Sequence, residues 1–132
     1  MIDTALAHLE RPAVARRAAV PAAVMLLAIA IVHLIDGPSS LSDLFYIGAL
    51  ELALTAACVP LAIALIVRPT RELWFASAGV VAFALLLYVL SRTIGLPGAS
   101  DDIGNWGEVL GLLNIATETA LIALTCWALT HD

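Results

Sequence analysis

The sequence predicts an all-α fold, a four-helix transmembrane bundle threaded up-down-up-down. Composition is the first reason. Of 132 residues, 62% are hydrophobic and 13% are charged, against about 45–50% apolar and about 25% charged in a soluble domain. The second is segmentation. The apolar sequence falls into four runs, each near the roughly 20 residues that cross a hydrocarbon core about 30 Å thick. The third is economy of length. Four such runs with short connections fill residues 18–132 as one transmembrane domain, and residues 1–17 form an N-terminal segment.

That segment carries Ile2, Leu6 and Leu9 at helical spacing, which allows a short interfacial helix ending near Pro12. The first transmembrane helix spans about 18–35. Pro21 stands near its start, where a missing N–H costs little. The run is longer than the 7–15-residue core of a signal peptide and reads as a retained helix. Gly37-Pro38-Ser39-Ser40 reads as a turn, with Ser42 or Asp43 as the N-cap of the next helix. The second helix spans about 44–67, with Pro60 as a tolerated kink, and Arg68-Pro69-Thr70-Arg71 ends it. The third spans about 72–91. A polar stretch rich in Gly, Pro and Asp follows, and the fourth helix spans about 106–129.

Arginine placement sets the expected orientation. Arg11, Arg16 and Arg17 precede the first helix, and Arg68 and Arg71 lie between the second and third. Four spans put all five on one side, which the positive-inside rule makes cytoplasmic. Both termini are then cytoplasmic in an inner membrane. Asp36, Asp43, Asp101, Asp102 and Glu108 gather at the opposite end, with Arg92 the one arginine there. The net charge of −5 and this distribution give no support to nucleic-acid binding.

Polar residues inside the spans are the candidate site. A charge near the middle of a membrane helix costs about 2.5–3.5 kcal/mol on insertion scales, so something must offset it. At a rise of about 1.5 Å per residue, Glu51 lies roughly 10 Å below the outer end and Glu118 roughly 18 Å. On the fourth helix, Gly107, Gly111, Asn114, Glu118 and Thr125 share a face. Gly48, Glu51, Thr55 and Cys58 do so on the second, and Tyr88, Ser91 and Arg92 near the end of the third. Such faces turn toward the bundle interior. Gly107 and Gly111 fit a close helix–helix contact. Together these faces outline an outward-facing polar cavity lined by His33, Glu51, Arg92, Asn114 and Glu118. A metal set of His33, Asp36, Glu51 and Glu118 would suit zinc, manganese or iron. Arg92 is expected to bend inward and pair with an acid of the second or the fourth helix, Glu51 being nearest in estimated depth.

Other chemistries find no residues. His8 and His131 fall on the cytoplasmic side, so His33 has no histidine partner for haem. The chain contains no Walker loop, HExxH, nucleophile elbow or CxxC. Cys58 and Cys126 fall within apolar runs and read as small hydrophobes.

The block Ser91-Arg92-Thr93, Gly95-Leu96-Pro97-Gly98, Asp102-Ile103-Gly104-Asn105-Trp106 and Glu108 resembles one that recurs in small, uncharacterised four-helix membrane proteins of bacteria. An earlier histidine, here His33, and a Tyr46-Ile47-Gly48 start to the second helix extend the resemblance. It implies the fold and the membrane location and no activity. Val109 stands where that pattern has proline. In size and layout, with an acid early in the second helix, the chain is more distantly similar to DoxX-like membrane proteins, a likeness of fold alone.

Three roles are open at this level. The cavity binds a small polar ligand or cation, alone or within a larger membrane complex or homo-oligomer in the lipid bilayer. It serves a membrane oxidoreductase through quinone-side chemistry. Or the polar cluster only fixes a self-assembling structural bundle. No cofactor is named by the residues. A reporter fused after His131 should be active in the cytoplasm, and one inserted between Gly95 and Asp102 should be active outside. An outward C-terminus would remove the four-span arrangement.

Overall fold

A computed structural model describes residues 12–131. The N-terminal interfacial helix expected over residues 1–9 lies outside the described residues. The fold is all-α. It comprises α1 (Pro12–Asp43), α2 (Phe45–Val67), α3 (Arg71–Arg92) and α4 (Val109–Thr130), with a 3₁₀ turn at Ser100–Asp102 between the last two. All four helices are long and apolar enough to cross a membrane, the build of a small multi-pass membrane protein.

The first correction concerns α1, which runs through the expected turn. At 32 residues it extends about 48 Å, and it breaks only at Leu44, which is extended (φ −144°, ψ 105°) and provides no side-chain cap. Neither Ser42 nor Asp43 caps α2. The reason lies in packing. Pro38 is exposed, and the hydroxyls of Ser39 and Ser42 donate to the Asp36 and Pro38 carbonyls at 2.9 and 3.4 Å. Gly37 is buried against Leu52, where an added Cβ would meet Leu52 Cδ2 at 2.8 Å. These extra turns rest on α2, and tertiary contact overrides the weak local preference for a turn.

The expected second and third helices match α2 and α3 to within a residue. Thr70 caps α3 by accepting from Leu73 N–H at 3.2 Å. The fourth begins at Val109, with Glu108 as N-cap, three residues later than expected. Gly107 is therefore loop rather than helix and is exposed, and a Cβ added there would meet nothing within 4 Å. The predicted Gly107–Gly111 helix contact is not made; Gly111 alone lies against a neighbour, the Tyr88 ring.

α1 packs most extensively on α2 and then on α4. Its buried face is built largely from alanine: Ala18, Ala19, Ala22, Ala23 and Ala30, with Leu26 and Ile29. Small side chains let backbones approach, the usual basis of helix association in lipid. Gly48 shows how close. A Cβ there would meet Leu41 Cα at 2.6 Å and collide with the Leu41 backbone nitrogen. Thr55 Oγ1 then donates across to Ala30 O at 3.0 Å. Cys58, Ala62, Leu65, Trp74, Val81 and Leu121 complete the core beside α1. The outer faces are equally apolar, with Val24, Ile31, Ile63, Phe75 and Leu113 exposed. A helix apolar all round belongs in lipid.

These contacts separate the glycines. Gly48→Ala should lower stability by about 1–3 kcal/mol, the usual range for overpacking. Gly79, with nothing within 4 Å of an added Cβ, should accept alanine with no loss, because alanine is the better helix former. Thermal unfolding of the detergent-extracted protein tests both. Equal effects would show that the α1–α2 approach is not tight.

Candidate functional site

The polar faces of the helices meet at one end of the bundle, the end shared by the close of α1, the start of α2, the close of α3 and the start of α4. There they surround a cleft of about 370 Å³. Its lining includes His33, Glu51, Arg92 and Asn114, four of the five predicted cavity residues, together with Asp36, Ser40, Tyr88, Asp102 and Glu108. Glu118, the fifth, lies fully buried behind His33.

The deepest part is a group of three. Asn114 Nδ2 donates to His33 Nε2 at 3.2 Å, which leaves the imidazole proton on Nδ1. His33 Nε2 is also 3.7 Å from Glu118 Oε1, too long for a hydrogen bond. Glu118 therefore gains no hydrogen bond from the imidazole across that gap. Both carboxylate oxygens of Glu118 and Oδ1 of Asn114 are buried with no hydrogen-bond partner, as are Glu51 Oε2 and the Tyr88 hydroxyl. Buried polar atoms are nearly always paired, so this concentration sets the cleft apart from the rest of the bundle.

The second part is a clamp around Arg92. Its side chain bends inward, as expected, and is 8% exposed. Its partner is not Glu51. Nη2 donates to Glu108 Oε2 at 3.0 Å, Nη1 lies 3.6 Å from Asp102 Oδ2 and donates to Ser91 Oγ at 3.0 Å. The guanidinium carbon also stands 4.5 Å from the Tyr88 ring centroid, a favourable cation–π position. The connecting loop dictates this choice. Gly95, at φ +85°, returns its N–H to Leu90 O at 2.8 Å, and Gly104 N–H reaches Arg92 O at 2.8 Å. The chain is thereby folded back so that Asp102 and Glu108 arrive beside Arg92. Both acids are nearly half exposed, so pairing with them demands less desolvation than pairing with a carboxylate deep in the bundle.

The same loop is fastened over the cleft. The Tyr46 hydroxyl donates to Pro97 O, and Gly98 rests near the Leu44 side chain. Trp106 meets Tyr88 edge to face with ring centroids 6.0 Å apart. The sequence places Asp102 and Glu108 among the outer acids and in the Ser91–Glu108 block, without pointing to either as the partner of Arg92, and it assigns Tyr46 no role. Glu108 was findable, because a short connection returns the start of one helix to the end of the previous one.

The metal set does not close. Among the described residues, no three His, Cys, Asp or Glu side chains come together so as to hold a metal ion. His33 meets Glu118, while Asp36 and Glu51 line the cleft without completing a ligand set. Cys58 is buried and Cys126 exposed, and both are free thiols. No family model, curated protein or solved structure matches the chain.

A double-mutant cycle reads the clamp directly. Arg92→Ala combined with Glu108→Gln should show a coupling of about 1–2 kcal/mol in unfolding stability. Arg92→Ala combined with Glu51→Gln should be additive to within about 0.3–0.5 kcal/mol. Coupling to Glu51 instead of Glu108 would overturn the assignment.

Proposed function

We propose that this chain holds a small polar ligand or cation in a cleft that opens to the outer side of an inner membrane. In this reading the bundle is threaded up-down-up-down, both termini are cytoplasmic, and the chain is kin to the small bacterial four-helix membrane proteins that share its Ser91–Glu108 block. The role is binding or accessory rather than catalytic.

One observation carries the ligand-binding part. Several polar atoms of Glu51, Tyr88, Asn114 and Glu118 are buried around one cleft without partners. A cluster that served only to fix the bundle would have its hydrogen bonds closed internally, as a half-satisfied polar network costs more than an apolar core. The clamp at Arg92 meets that structural standard more nearly; the group at His33, Asn114 and Glu118 does not. Orientation is supported by the arginines. Arg16, Arg17, Arg68 and Arg71 are exposed at the end away from the cleft, whereas Arg92 is buried at its rim.

The reading is tested with a cysteine at each end, in a background carrying Cys126→Ser. Ser40→Cys, on the cleft wall, should react with a membrane-impermeant maleimide added to intact cells. Thr130→Cys should react only after permeabilisation. The opposite pattern would reverse the orientation. Native mass spectrometry of gently extracted protein should then find a small molecule retained by the unaltered chain and lost from Glu118→Gln. Ligand-free protein throughout would count against the binding role.

A further inference from the structure

The unpartnered atoms have a common chemical character. Asn114 Oδ1 accepts only, and Glu51 Oε2 and both oxygens of Glu118 accept only when their carboxyls are ionised. The Tyr88 hydroxyl can accept as well as donate. Among the buried unpartnered atoms of the cleft wall, Arg92 Nε is the one that can only donate. An occupant that completes this site must therefore bring donors.

Charge points the same way. The cleft wall carries five carboxylates, those of Asp36, Asp43, Glu51, Asp102 and Glu108, against one guanidinium. That guanidinium is already engaged by Glu108 and Asp102. Glu118 adds a further carboxyl behind His33. An anion entering here meets like charge and finds no free cation. A bare metal ion finds no set of three ligating side chains among the described residues. A cation that carries N–H groups satisfies both requirements, since it supplies charge and hydrogen-bond donors together.

Depth supports a built site rather than a surface cluster of acids. Asn114 is 6% exposed and lines the cleft with its Oδ1 unpartnered. Glu118 is 0% exposed and lies 3.7 Å from His33, itself in the cleft wall. A cleft of about 370 Å³ admits a small organic molecule. We infer that the cleft is a site for a small organic ammonium or amidinium ion, bound through N–H donation to Glu51 and Asn114 with Glu118 as the deep countercharge.

This inference rests on the ligand-binding reading above, and its test separates the two. The full-length protein in detergent is titrated calorimetrically with n-butylammonium, butyltrimethylammonium and butyrate, so that the outcome does not depend on membrane orientation. Butylammonium should bind saturably. Its trimethyl analogue, equal in charge but without N–H, should bind at least about tenfold more weakly, the scale of a lost hydrogen bond to a charged group. Butyrate should not bind. Glu51→Gln and Asn114→Ala should each weaken butylammonium binding by about tenfold with unchanged size-exclusion profiles. The comparison of the two cations on the unaltered chain carries the test even where a variant fails to fold. Equal affinity for the two cations, preference for butyrate, or no saturable binding of any of the three overturns the inference. A different molecule found by native mass spectrometry would then leave the cleft as a binding site and remove only its assignment to amines.

Discussion

A carboxyl group fully enclosed in an apolar helical bundle is the constraint on which this architecture depends. Glu118 is 0% exposed, its two oxygens have no hydrogen-bond partner, and His33 Nε2 stands 3.7 Å from one of them. Leaving a polar group without a partner in an apolar environment costs about 2–7 kcal/mol, depending on the reference state, and a charge costs more. The surrounding structure bounds that cost without removing it. His33 is held by Asn114 from the same face of α4, one turn before Glu118. The alanine-rich face of α1 brings His33 close enough to matter. Bulky residues along that face would part the helices and leave the carboxyl alone.

Arg92 belongs to a separate circuit, and this separation is what keeps the cleft acidic. An arginine at the end of a membrane helix can reach into the bundle or outward along it. Here the loop decides, by delivering Asp102 and Glu108 to the guanidinium and fixing itself to Tyr46 through Pro97. The fork is therefore used to fasten the loop over the bundle. Had it turned to Glu51 or Glu118, the interior charges would have been neutralised and the cleft would present little to a cation. Two polar clusters thus lie side by side at one end of the bundle, one largely closed and one open.

Much of this was legible in the sequence, because periodicity and length are properties of a single helix. The four apolar runs, the shared faces of Glu51 with Cys58 and of Asn114 with Glu118, and the inward turn of Arg92 all follow from spacing and cost. What failed depended on neighbours. Gly37-Pro38-Ser39-Ser40 has every local mark of a turn, yet Gly37 is buried against Leu52 and the helix continues. Gly107 and Gly111 match a packing motif, yet Gly107 lies before the helix starts. The choice between Glu51 and Glu108 as partner of Arg92 depends on how a turn-rich loop folds back, which no helical periodicity encodes. Spacing identifies which residues share a face; it does not give the rotation of one helix against another.

The remaining half of the bundle argues about what the cleft can do. Beyond Glu118 the interior is closed by Leu121, Leu65, Trp74, Ala62 and Ala128. Among the described residues two buried hydroxyls lie there, and each is used within its own helix. Ser77 donates to Leu73 O and Thr125 to Leu121 O, both at 2.8 Å. The indole N–H of Trp74 is buried without a partner, a single donor isolated in apolar packing. None of these groups continues a path from Glu118 to the other end of the bundle. Conduction of a proton or ion requires successive polar partners or water, and membrane proteins that conduct place ionisable residues along the route. In this arrangement the polar groups stop midway and an apolar floor begins. The proposed binding role then has its occupant enter and leave through the same mouth, and the floor beneath Glu118 gives it no onward route.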